Sequence, residues 1–254
     1  MADLKFFGVI PARYGSSRFP GKPLAVIGGK MMIQRVWERV ISVLEQAVVA
    51  TDDERIYNAV KSFGGEVVMT SDKHCSGTDR CNEAYKKVCP DADVIVNIQG
   101  DEPFIDPNQI KQLMGCFDEP DTEIATLILP FPKDGTFDQL RNPNRPKVLI
   151  DNKMRALYFS RSIIPYFRGQ KEDDWAQMHQ YYTHVGMYAY RSDILSKISE
   201  MPQGLLERAE SLEQLRWIEN GCVVRTAITH HQSMGIDTKY DLAAAEEYVR
   251  SMNI

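Results

Sequence analysis

Apolar and polar positions recur along the first half of the chain in a pattern that predicts strands alternating with helices. The run at 6–10 predicts a short buried strand, and apolar residues spaced three and four apart at 32–44 predict a helix with one buried face. Amphipathic helical patterns separate further strands, which are expected at 47–51, 66–70, 93–98 and 123–129. Because repeated strand–helix units imply parallel pairing, we expect an α/β fold with a doubly wound, mostly parallel sheet.

The pattern changes after residue 130, where prolines interrupt a stretch without helical periodicity. The apolar runs at 147–150 and 156–159 flank a polar segment and predict a β-hairpin. Beyond the hairpin we expect strands at 185–190 and 222–229 and helices at 193–199 and roughly 206–220. A final helix is expected at the end of the chain. We interpret the chain as a single domain with two parts, 1–130 and 131–254, the second of them a smaller β-rich insertion.

The loop at 11–24 follows the first predicted strand and carries three cations, Arg13, Arg18 and Lys22, among glycines and serines. Glycine lets backbone N–H groups approach an anion, serine hydroxyls donate to its oxygens, and cations neutralise its charge. The loop has neither a GxGxxG nor a GxxxxGK[ST] pattern, which disfavours a Rossmann dehydrogenase and a P-loop NTPase. The alternative is a surface turn with solvated charges. Since open α/β sheets bind ligands where strands end, we expect the loop to bind a small anionic ligand.

Two aspartates are candidates for a metal site beside this loop. Asp101 follows the strand predicted at 93–98, and Asp237 stands just before the final helix. Mg²⁺ takes one or two carboxylates together with phosphate oxygens, so carboxylates near a phosphate loop indicate this ion. The alternative for Asp101 is a turn-forming residue ahead of Pro103, and the sequence leaves open whether the two carboxylates meet.

Three further groups of polar residues have both a functional and a structural interpretation. The turn at 76–80 could donate hydrogen bonds to a base, sugar or phosphate, or could simply cap a helix. His184 precedes an apolar strand, where a lone histidine is more often a structural hydrogen-bonding group. Glu213 and Gln214 lie in a predicted helix and could be solvated or face the site.

The composition excludes several classes of function. The chain of 254 residues is 43% hydrophobic and 26% charged, as in an ordinary globular protein. Its net charge of −5, without a basic tract, disfavours nucleic acid as a partner. Five cysteines without a CxxC pair disfavour disulfides and structural zinc and indicate a cytoplasmic protein. A signal peptide and a membrane span are not expected, so no membrane partner is predicted.

The motifs taken together resemble one family, the cytidylyltransferases that activate 3-deoxy-manno-octulosonate (Kdo), also called CMP-Kdo synthetases. The opening loop combined with QGDEP and LEQLR is specific, whereas each motif alone is shared with other sugar nucleotidyltransferases. The matching stretches follow the family order over nearly the whole chain: IPARYGSSRFPGKPL at 10–24, VATDDERI at 49–56, GGEVVMT at 64–70, HCSGTDR at 74–80, VNIQGDEP at 96–103, ALYFSRSIIP at 156–165, HVGMYAYR at 184–191, LEQLR at 212–216 and GIDT at 235–238.

The resemblance implies a Rossmann-like nucleotidyltransferase fold with helices on both faces of the sheet. Residues 1–130 would bind the nucleotide, and 131–254 would bind the sugar acid and form a homodimer. The implied reaction is Mg²⁺-dependent transfer of CMP from CTP to the anomeric hydroxyl of Kdo, which releases pyrophosphate and serves lipopolysaccharide synthesis. The alternatives are a cytidylyltransferase for a related sugar acid, of the 8-amino-Kdo or neuraminate type, and a non-catalytic nucleotide-sugar-binding homologue.

The same resemblance assigns ligands at the matching positions. The metal ligands are Asp101 and Asp237. The catalytic residues are these two aspartates with Arg13 and Lys22. The nucleotide ligands are Arg13, Ser16, Arg18, Lys22, Ser76, Gly77, Thr78 and Arg80. The sugar-acid ligands are Gln99, Arg161, His184, Tyr188, Glu213 and Gln214.

The chain departs from the family pattern in two places. Pro146 stands where the family usually has an apolar residue, and proline removes a backbone donor at the start of the predicted hairpin. The segment at 168–182, rich in charged and aromatic residues, follows no family pattern and is interpreted as a loop.

Overall fold

The computed structural model describes residues 4–16, 18–74, 76–232 and 234–252. The chain divides into two compact units. The first comprises Met1–Lys111, Arg191–Ser199 and Ser233–Ile254, and the second comprises Gln112–Tyr190 and Glu200–Gln232. The expected functional division at residue 130 stays a prediction.

The described residues form eleven strands, ten α-helices and three short 3₁₀ helices. The strands are β1 (Phe6–Ala12), β2 (Val26–Ile27), β3 (Lys30–Met31), β4 (Ala47–Thr51), β5 (Val67–Met69), β6 (Val94–Asn97), β7 (Ile124–Pro130), β8 (Lys147–Ile150), β9 (Ala156–Ser160), β10 (Tyr182–Arg191) and β11 (Val224–Ile228). The α-helices are α1 (Met32–Ile41), α2 (Glu54–Ser62), α3 (Gly77–Val88), α4 (Pro107–Gly115), α5 (Phe137–Leu140), α6 (Trp175–Met178), α7 (Ser192–Ser199), α8 (Leu205–Glu210), α9 (Gln214–Glu219) and α10 (Lys239–Met252). Short 3₁₀ helices cover Lys22–Leu24, Cys116–Asp118 and Glu172–Asp174.

The sheet of the first unit is parallel, in the order β6-β1-β4-β5. Its strands are almost wholly apolar, and Val9, Ile10, Val49 and Ile95 are inaccessible to solvent, as expected for parallel strands covered by helices. The fold class predicted from the sequence, a mostly parallel sheet with helices around it, is confirmed.

The first strand is longer than the sequence suggests. It was expected to end at Pro11, but β1 continues to Ala12 and remains in register with β4, with Pro11 opposite Ala50. Pairing with β6 stops at Val9, so the missing N–H of Pro11 costs no hydrogen bond on that side. The loop at 11–24 therefore begins at Arg13.

Side-chain caps fix the helix starts of the first unit. The Asp53 carboxylate accepts the N–H of Arg55 at 2.9 Å and opens α2. Ser76 and Asp79 form a reciprocal capping box at α3. A reciprocal capping box also opens the final helix, since the Asp241 carboxylate accepts the N–H of Thr238 at 2.8 Å and Thr238 Oγ1 accepts the N–H of Asp241 at 3.2 Å.

The second unit has a mixed sheet. Strand β7 pairs in parallel with β11 and antiparallel with β10, and β8 pairs with both β10 and β9. The predicted hairpin is β8–β9, with Lys147 opposite Ser160. The carbonyl oxygen of Pro146 accepts the backbone N–H of His184 at 2.9 Å, and the next residue, Lys147, pairs with Thr183 of β10. The proline therefore does not prevent the hairpin from joining the sheet.

Two predictions in the second unit are wrong. The segment at 168–182 is not simply a loop: it holds α6, and Trp175 and Tyr181 are buried in a cluster with Phe131 and Leu140. The single helix expected at 206–220 is two helices, α8 and α9, because Ser211 adopts a left-handed conformation with φ of 52°. Along the described residues, every helix is too short or too polar to cross a membrane.

Candidate active site

Contacts of the Tyr14 side chain stabilise the loop after β1. Tyr14 lies against Gly21, whose backbone N–H donates to the Tyr14 carbonyl oxygen at 2.8 Å. Gly21 has φ of 72°, and a Cβ there would come within 2.9 Å of the Tyr14 ring, so a glycine is required on both counts. The Arg55 guanidinium stacks on the same ring, 3.3 Å from its centroid, and is itself paired with Asp53 at 2.6 Å. These contacts hold the loop against α2.

The loop leads into the 3₁₀ helix at Lys22–Leu24, which directs Lys22 toward two carboxylates. The Lys22 ammonium donates to Asp101 Oδ2 at 2.6 Å and to Asp237 Oδ1 at 3.0 Å. It also lies 3.3 Å from the carbonyl oxygen of Ile236. The two aspartates, called the carboxylate pair below, therefore converge on one cation position.

Backbone contacts bring the carboxylate pair together across 136 positions of sequence. Asp101 follows Gly100, where a Cβ would lie 2.7 Å from the carbonyl oxygen of Pro11, so glycine allows β1 and the 99–101 turn to approach closely. The carbonyl oxygen of Asp101 accepts the N–H of Ile236 at 3.0 Å, and the Ile236 side chain is fully buried. This bond places Asp237 beside Asp101.

The electrostatics of this cluster favour the charged lysine. Burial opposes the charge on Lys22, but hydrogen bonds from its ammonium to Asp101 and Asp237 outweigh burial and raise its pKa above the ordinary value. A second cation, Arg18, pairs with Asp237 Oδ2 at 2.9 Å from a side chain that is 65% exposed, whereas that of Lys22 is 16% exposed. Lys22 is therefore the main counter-ion of the carboxylate pair.

These groups open into one pocket of about 550 Å³ within the first unit. Most of the nucleotide ligands expected from the sequence line it, together with both expected metal ligands and one expected sugar ligand: Arg13, Ser16, Arg18, Lys22, Ser76, Gly77, Arg80, Gln99, Asp101 and Asp237. Thr78 is not among the lining residues and is 97% buried. Ser17 and Cys75, which belong to the matched motifs, fall outside the described residues.

The 76–80 turn combines a structural role with a place in the pocket. Ser76 and Gly77 line the pocket at the N-terminus of α3, where backbone N–H groups and the helix dipole favour an anion. Arg80 is 4% exposed, and its guanidinium donates to Thr70 Oγ1 at 2.6 Å and to Asp52 Oδ2 at 2.7 Å. Those bonds tie the turn to the ends of β4 and β5.

One lining residue, His74, was not singled out from the sequence, although it begins a matched motif. Its Nε2 contacts a Glu83 carboxylate oxygen, and the same carboxylate accepts the N–H of Ser71 at 3.0 Å and pairs with Lys87 at 2.6 Å. Burial acts to raise the pKa of Glu83, but these partners outweigh it and lower that pKa to about 2. Glu83 is therefore an anionic anchor for His74, and no residue-type pattern in the sequence would have revealed it.

The second unit holds the other expected sugar ligands, and two of them lie in an aromatic cluster. The ring of His184 lies 5.1 Å from that of Phe159 and 5.3 Å from that of Tyr188, which contacts Trp217 at 5.0 Å. Burial lowers the pKa of His184 to about 3, so the imidazole is neutral at pH 7. Burial, with the nearby charge of Glu213, raises the pKa of Tyr188 well above its ordinary value.

The remaining expected sugar ligands differ in how their polar groups are used. Gln214 is 4% exposed, and its buried Nε2 has no hydrogen-bond partner among the described residues. The Arg161 guanidinium donates to three backbone carbonyl oxygens, those of Pro143, Glu210 and Ser211, at 2.8, 2.5 and 3.2 Å. All three acceptors of its guanidinium are backbone carbonyl oxygens and not carboxylates.

A buried lysine in the same unit was also missed by the sequence analysis. Lys147 is inaccessible to solvent, and its ammonium donates to the carbonyl oxygen of Asn142 at 3.1 Å. Burial lowers the pKa of Lys147 to about 8, against the opposing effect of the Glu210 carboxylate, while Arg161 lowers it further. The strand pattern at 147–150 gave no sign of this, because a lysine at the start of a strand is ordinarily exposed.

The carboxylate pair fits a divalent cation. Both carboxylates already lie within 3.0 Å of one ammonium nitrogen, which occupies the position of a shared cation. Within the described part of the chain, three or more His, Cys, Asp or Glu side chains nowhere come together as a metal site. Two carboxylates suit Mg²⁺, which completes its octahedral coordination with water and phosphate oxygens.

Comparison with known proteins places this geometry in a family. A family model described as "Cytidylyltransferase" matches residues 7–229. A protein of Phocaeicola vulgatus named 3-deoxy-manno-octulosonate cytidylyltransferase is 57% identical over 97% of this chain and 98% of its own length. A protein of the same name from Bacteroides thetaiotaomicron is 56% identical over 98% of this chain and 99% of its own length.

Solved structures agree with the sequence relatives. A CMP:2-keto-3-deoxy-manno-octonic acid synthetase complexed with CTP is 43% identical, covers 98% of this chain and 99% of its own, and superposes with a TM-score of 0.89. A 4-diphosphocytidyl-2C-methyl-D-erythritol synthase from Anaerococcus prevotii, 13% identical with a TM-score of 0.62 over 97% of this chain and 99% of its own, shares the fold. The resemblance inferred from the motifs is confirmed, and the chain belongs to the 3-deoxy-manno-octulosonate cytidylyltransferase family of nucleotidyltransferases.

Proposed function

We propose that the protein transfers CMP from CTP to the anomeric hydroxyl of Kdo, releases pyrophosphate and thereby serves lipopolysaccharide synthesis. The observation that carries the proposal is the convergence of Lys22, Asp101 and Asp237 in a pocket lined by the cationic loop. Relatives with the corresponding name match nearly the whole chain, and one related structure holds CTP, which supports the same substrates here.

The loop and the 76–80 turn supply the groups that a nucleoside triphosphate requires. Arg13, Arg18 and Lys22 line the pocket as cations, and Ser16 adds a hydroxyl. We assign the triphosphate to these residues and the cytidine to the 76–80 turn. Because the leaving group is pyrophosphate, Arg13 and Lys22 act by stabilising the negative charge that develops as it departs.

Asp101 and Asp237 would hold Mg²⁺. When bound, the ion supplies positive charge to the phosphate oxygens and lowers the pKa of a coordinated hydroxyl. The two carboxylates that would hold it lie beside Lys22, in the loop that carries the proposed phosphate ligands. The chain's own residues thus position the α-phosphate and neutralise it, which is the main requirement for joining two anionic substrates.

The sugar acid is assigned to the residues matched by family motif. The set is Gln99, Arg161, His184, Tyr188, Glu213 and Gln214. Arg161 supplies the permanent charge for the sugar carboxylate, and neutral His184 and Gln214 supply hydrogen bonds. We place this function, with homodimer formation, in residues 131–254 and nucleotide binding mainly in 1–130, and we propose that the homodimer acts in the cytoplasm.

The decisive experiment measures pyrophosphate release with a panel of substrates. CTP, UTP and ATP are each combined with Kdo, 8-amino-Kdo or N-acetylneuraminate, with Mg²⁺ and with EDTA. Turnover is expected with CTP and Kdo in Mg²⁺ and not in EDTA. A higher kcat/KM for another sugar acid would replace Kdo as the substrate, and CTP binding without turnover on any acid would identify a non-catalytic homologue. Light scattering of the purified protein tests the dimer.

A further inference from the structure

We propose that Lys22 and Arg18 form an internal counter-ion latch, which blocks the carboxylate pair from metal until the phosphates of a nucleotide draw the two cations away. Metal binding and nucleotide binding would then be coupled through the loop. The inference deepens the proposed function and rests on it, because it takes the carboxylate pair as the Mg²⁺ site.

The Lys22 ammonium group occupies the point that a shared metal ion would need. The Lys22 nitrogen lies 2.6 Å from Asp101 Oδ2 and 3.0 Å from Asp237 Oδ1, distances typical of charge-assisted hydrogen bonds. A metal ion shared by both carboxylates would have to occupy nearly the same point. Lys22 and a shared metal ion therefore exclude each other from this position.

The charges of the carboxylate pair are balanced by the two latch cations. In the structure the two carboxylates are matched by two cations, since Arg18 pairs with the outer oxygen of Asp237 at 2.9 Å. A divalent cation entering alone would give this partly enclosed cluster a net positive charge, which is unfavourable. When a metal ion arrives together with a triphosphate, the phosphates supply negative charge. Lys22 and Arg18 can then pair with the phosphates instead of the carboxylates.

Both latch cations face a pocket in which bound phosphates would offer them alternative partners. Lys22 and Arg18 line the same pocket as Arg13 and Ser16, so phosphates bound by the loop would lie beside both latch cations. Arg18 is 65% exposed and is held weakly, whereas Lys22 is 16% exposed and its pairs are less screened by water. Lys22 is therefore the main element of the latch.

The latch predicts how the free protein binds a metal ion alone. We would titrate Mn²⁺ into the nucleotide-free protein and count free ion by electron paramagnetic resonance. Lys22→Met removes the charge at similar length and is expected to tighten Mn²⁺ binding at least tenfold, whereas charge-retaining Lys22→Arg stays close to the wild type. Lys30→Met is the matched control, because Lys30 pairs with Glu38 at 2.7 Å on the surface of the same unit. It is expected to change nothing.

Two more variants keep the test decisive. Asp101→Asn introduced into Lys22→Met should abolish the gain, which assigns the added affinity to the carboxylate pair. Arg18→Met alters an exposed side chain and should tighten Mn²⁺ binding about twofold. If circular dichroism shows that Lys22→Met is not folded, the Mn²⁺ affinity of Arg18→Met is the test of the latch. Equal Mn²⁺ affinity in the wild type and the folded latch variants would overturn the proposal, as would an equal gain in Lys30→Met.

The readout separates this inference from the proposed function. Mn²⁺ binding to the free protein requires neither CTP nor Kdo, while pyrophosphate release requires both. Tighter Mn²⁺ binding in Lys22→Met, together with no turnover on any sugar acid in the wild type, would support the latch and reject the transferase function. Turnover with no change in Mn²⁺ affinity would do the reverse.

Discussion

Acid should destabilise the protein in part through His184, and the size of the effect follows from the surroundings of its ring. The Nε2 of His184 lies 3.0 Å from Thr126 Oγ1, and the same oxygen lies 2.9 Å from the Met187 carbonyl oxygen and 3.3 Å from that of Val185. A neutral imidazole with its proton on Nε2 would donate to Thr126 Oγ1 and leave the hydroxyl proton for one of these carbonyl oxygens. Burial holds the pKa of His184 at about 3, against about 6.5 for a histidine in an unfolded chain.

The direction in which stability changes with pH follows from where His184 binds a proton. Between pH 6.5 and 3 the unfolded chain takes up a proton at His184 and the folded protein does not, so stability falls as pH falls through this window. Above pH 6.5 the residue is neutral in both states and contributes no pH dependence. From pH 7 to pH 5 the loss is about 2 kcal/mol, since each pKa unit corresponds to about 1.4 kcal/mol.

The assay is urea unfolding at pH 7 and pH 5 for the wild type and for His184→Gln, which retains a hydrogen-bond donor but cannot titrate. Every other titrating group contributes to both proteins and cancels in the comparison. The free energy of unfolding should fall by about 2 kcal/mol more in the wild type than in the variant. The same loss in both proteins, or a His184 ring signal that titrates near pH 6 in the nuclear magnetic resonance spectrum of the folded protein, would refute the reasoning.

Three other predictions concern the site and the packing around it. Asp101→Asn and Asp237→Asn should each lower kcat at least a hundredfold with little change in melting temperature, and full activity in either would contradict a shared metal site. Gly100→Ala should cost about 1–3 kcal/mol in urea unfolding, because its Cβ would lie 2.7 Å from a backbone oxygen of β1; an unchanged midpoint would show that the turn relaxes freely. Glu207→Gln should cost about 3–5 kcal/mol, since it leaves Arg216, 2.7 Å away and nearly buried, without its carboxylate, and a loss below 1 kcal/mol would reject that pairing as a stabilising contact.

The parallel sheet could be predicted because its signals are local. Strands β1, β4 and β6 are nearly continuous apolar runs, and the helix patterns between them repeat at the spacing of a buried face. The helix expected at 206–220 failed for a reason that the pattern does not encode. Its apolar spacing continues across Ser211, but the backbone there turns left-handed, and the Glu210 carboxylate accepts the Ser160 hydroxyl at 2.7 Å and the N–H of Arg161 at 2.6 Å.

The candidate site could be predicted as a set of residues but not as an arrangement. Motif order identified Lys22, Asp101 and Asp237 singly, because each lies in a distinctive short stretch. Their meeting depends on the hydrogen bond from Ile236 to the Asp101 carbonyl, a contact between distant parts of the chain. The pairing of the lysine with both carboxylates depends on distances of a few ångströms, which sequence spacing cannot give. The anchoring of His74 by Glu83 was hidden for the same reason.

The candidate ligand-binding groups of the two units differ in charge and in hydrogen bonding. In the first unit Lys22 and Arg18 are paired with the carboxylate pair, so under the proposal above a triphosphate would exchange these ion pairs for pairs with its phosphates. In the second unit His184 is neutral, and the Nε2 of Gln214 has no hydrogen-bond partner within the described residues, so a ligand would gain hydrogen bonds without breaking ion pairs of these two side chains. Salt should therefore weaken nucleotide binding more than sugar-acid binding, because the proposed triphosphate site uses three cations, Arg13, Arg18 and Lys22, whereas Arg161 alone is assigned to the sugar carboxylate. Calorimetric titrations of CTP, and of Kdo in the presence of a non-reactive CTP analogue, at 50 and 500 mM NaCl would show this difference, and equal salt slopes would contradict the division of roles.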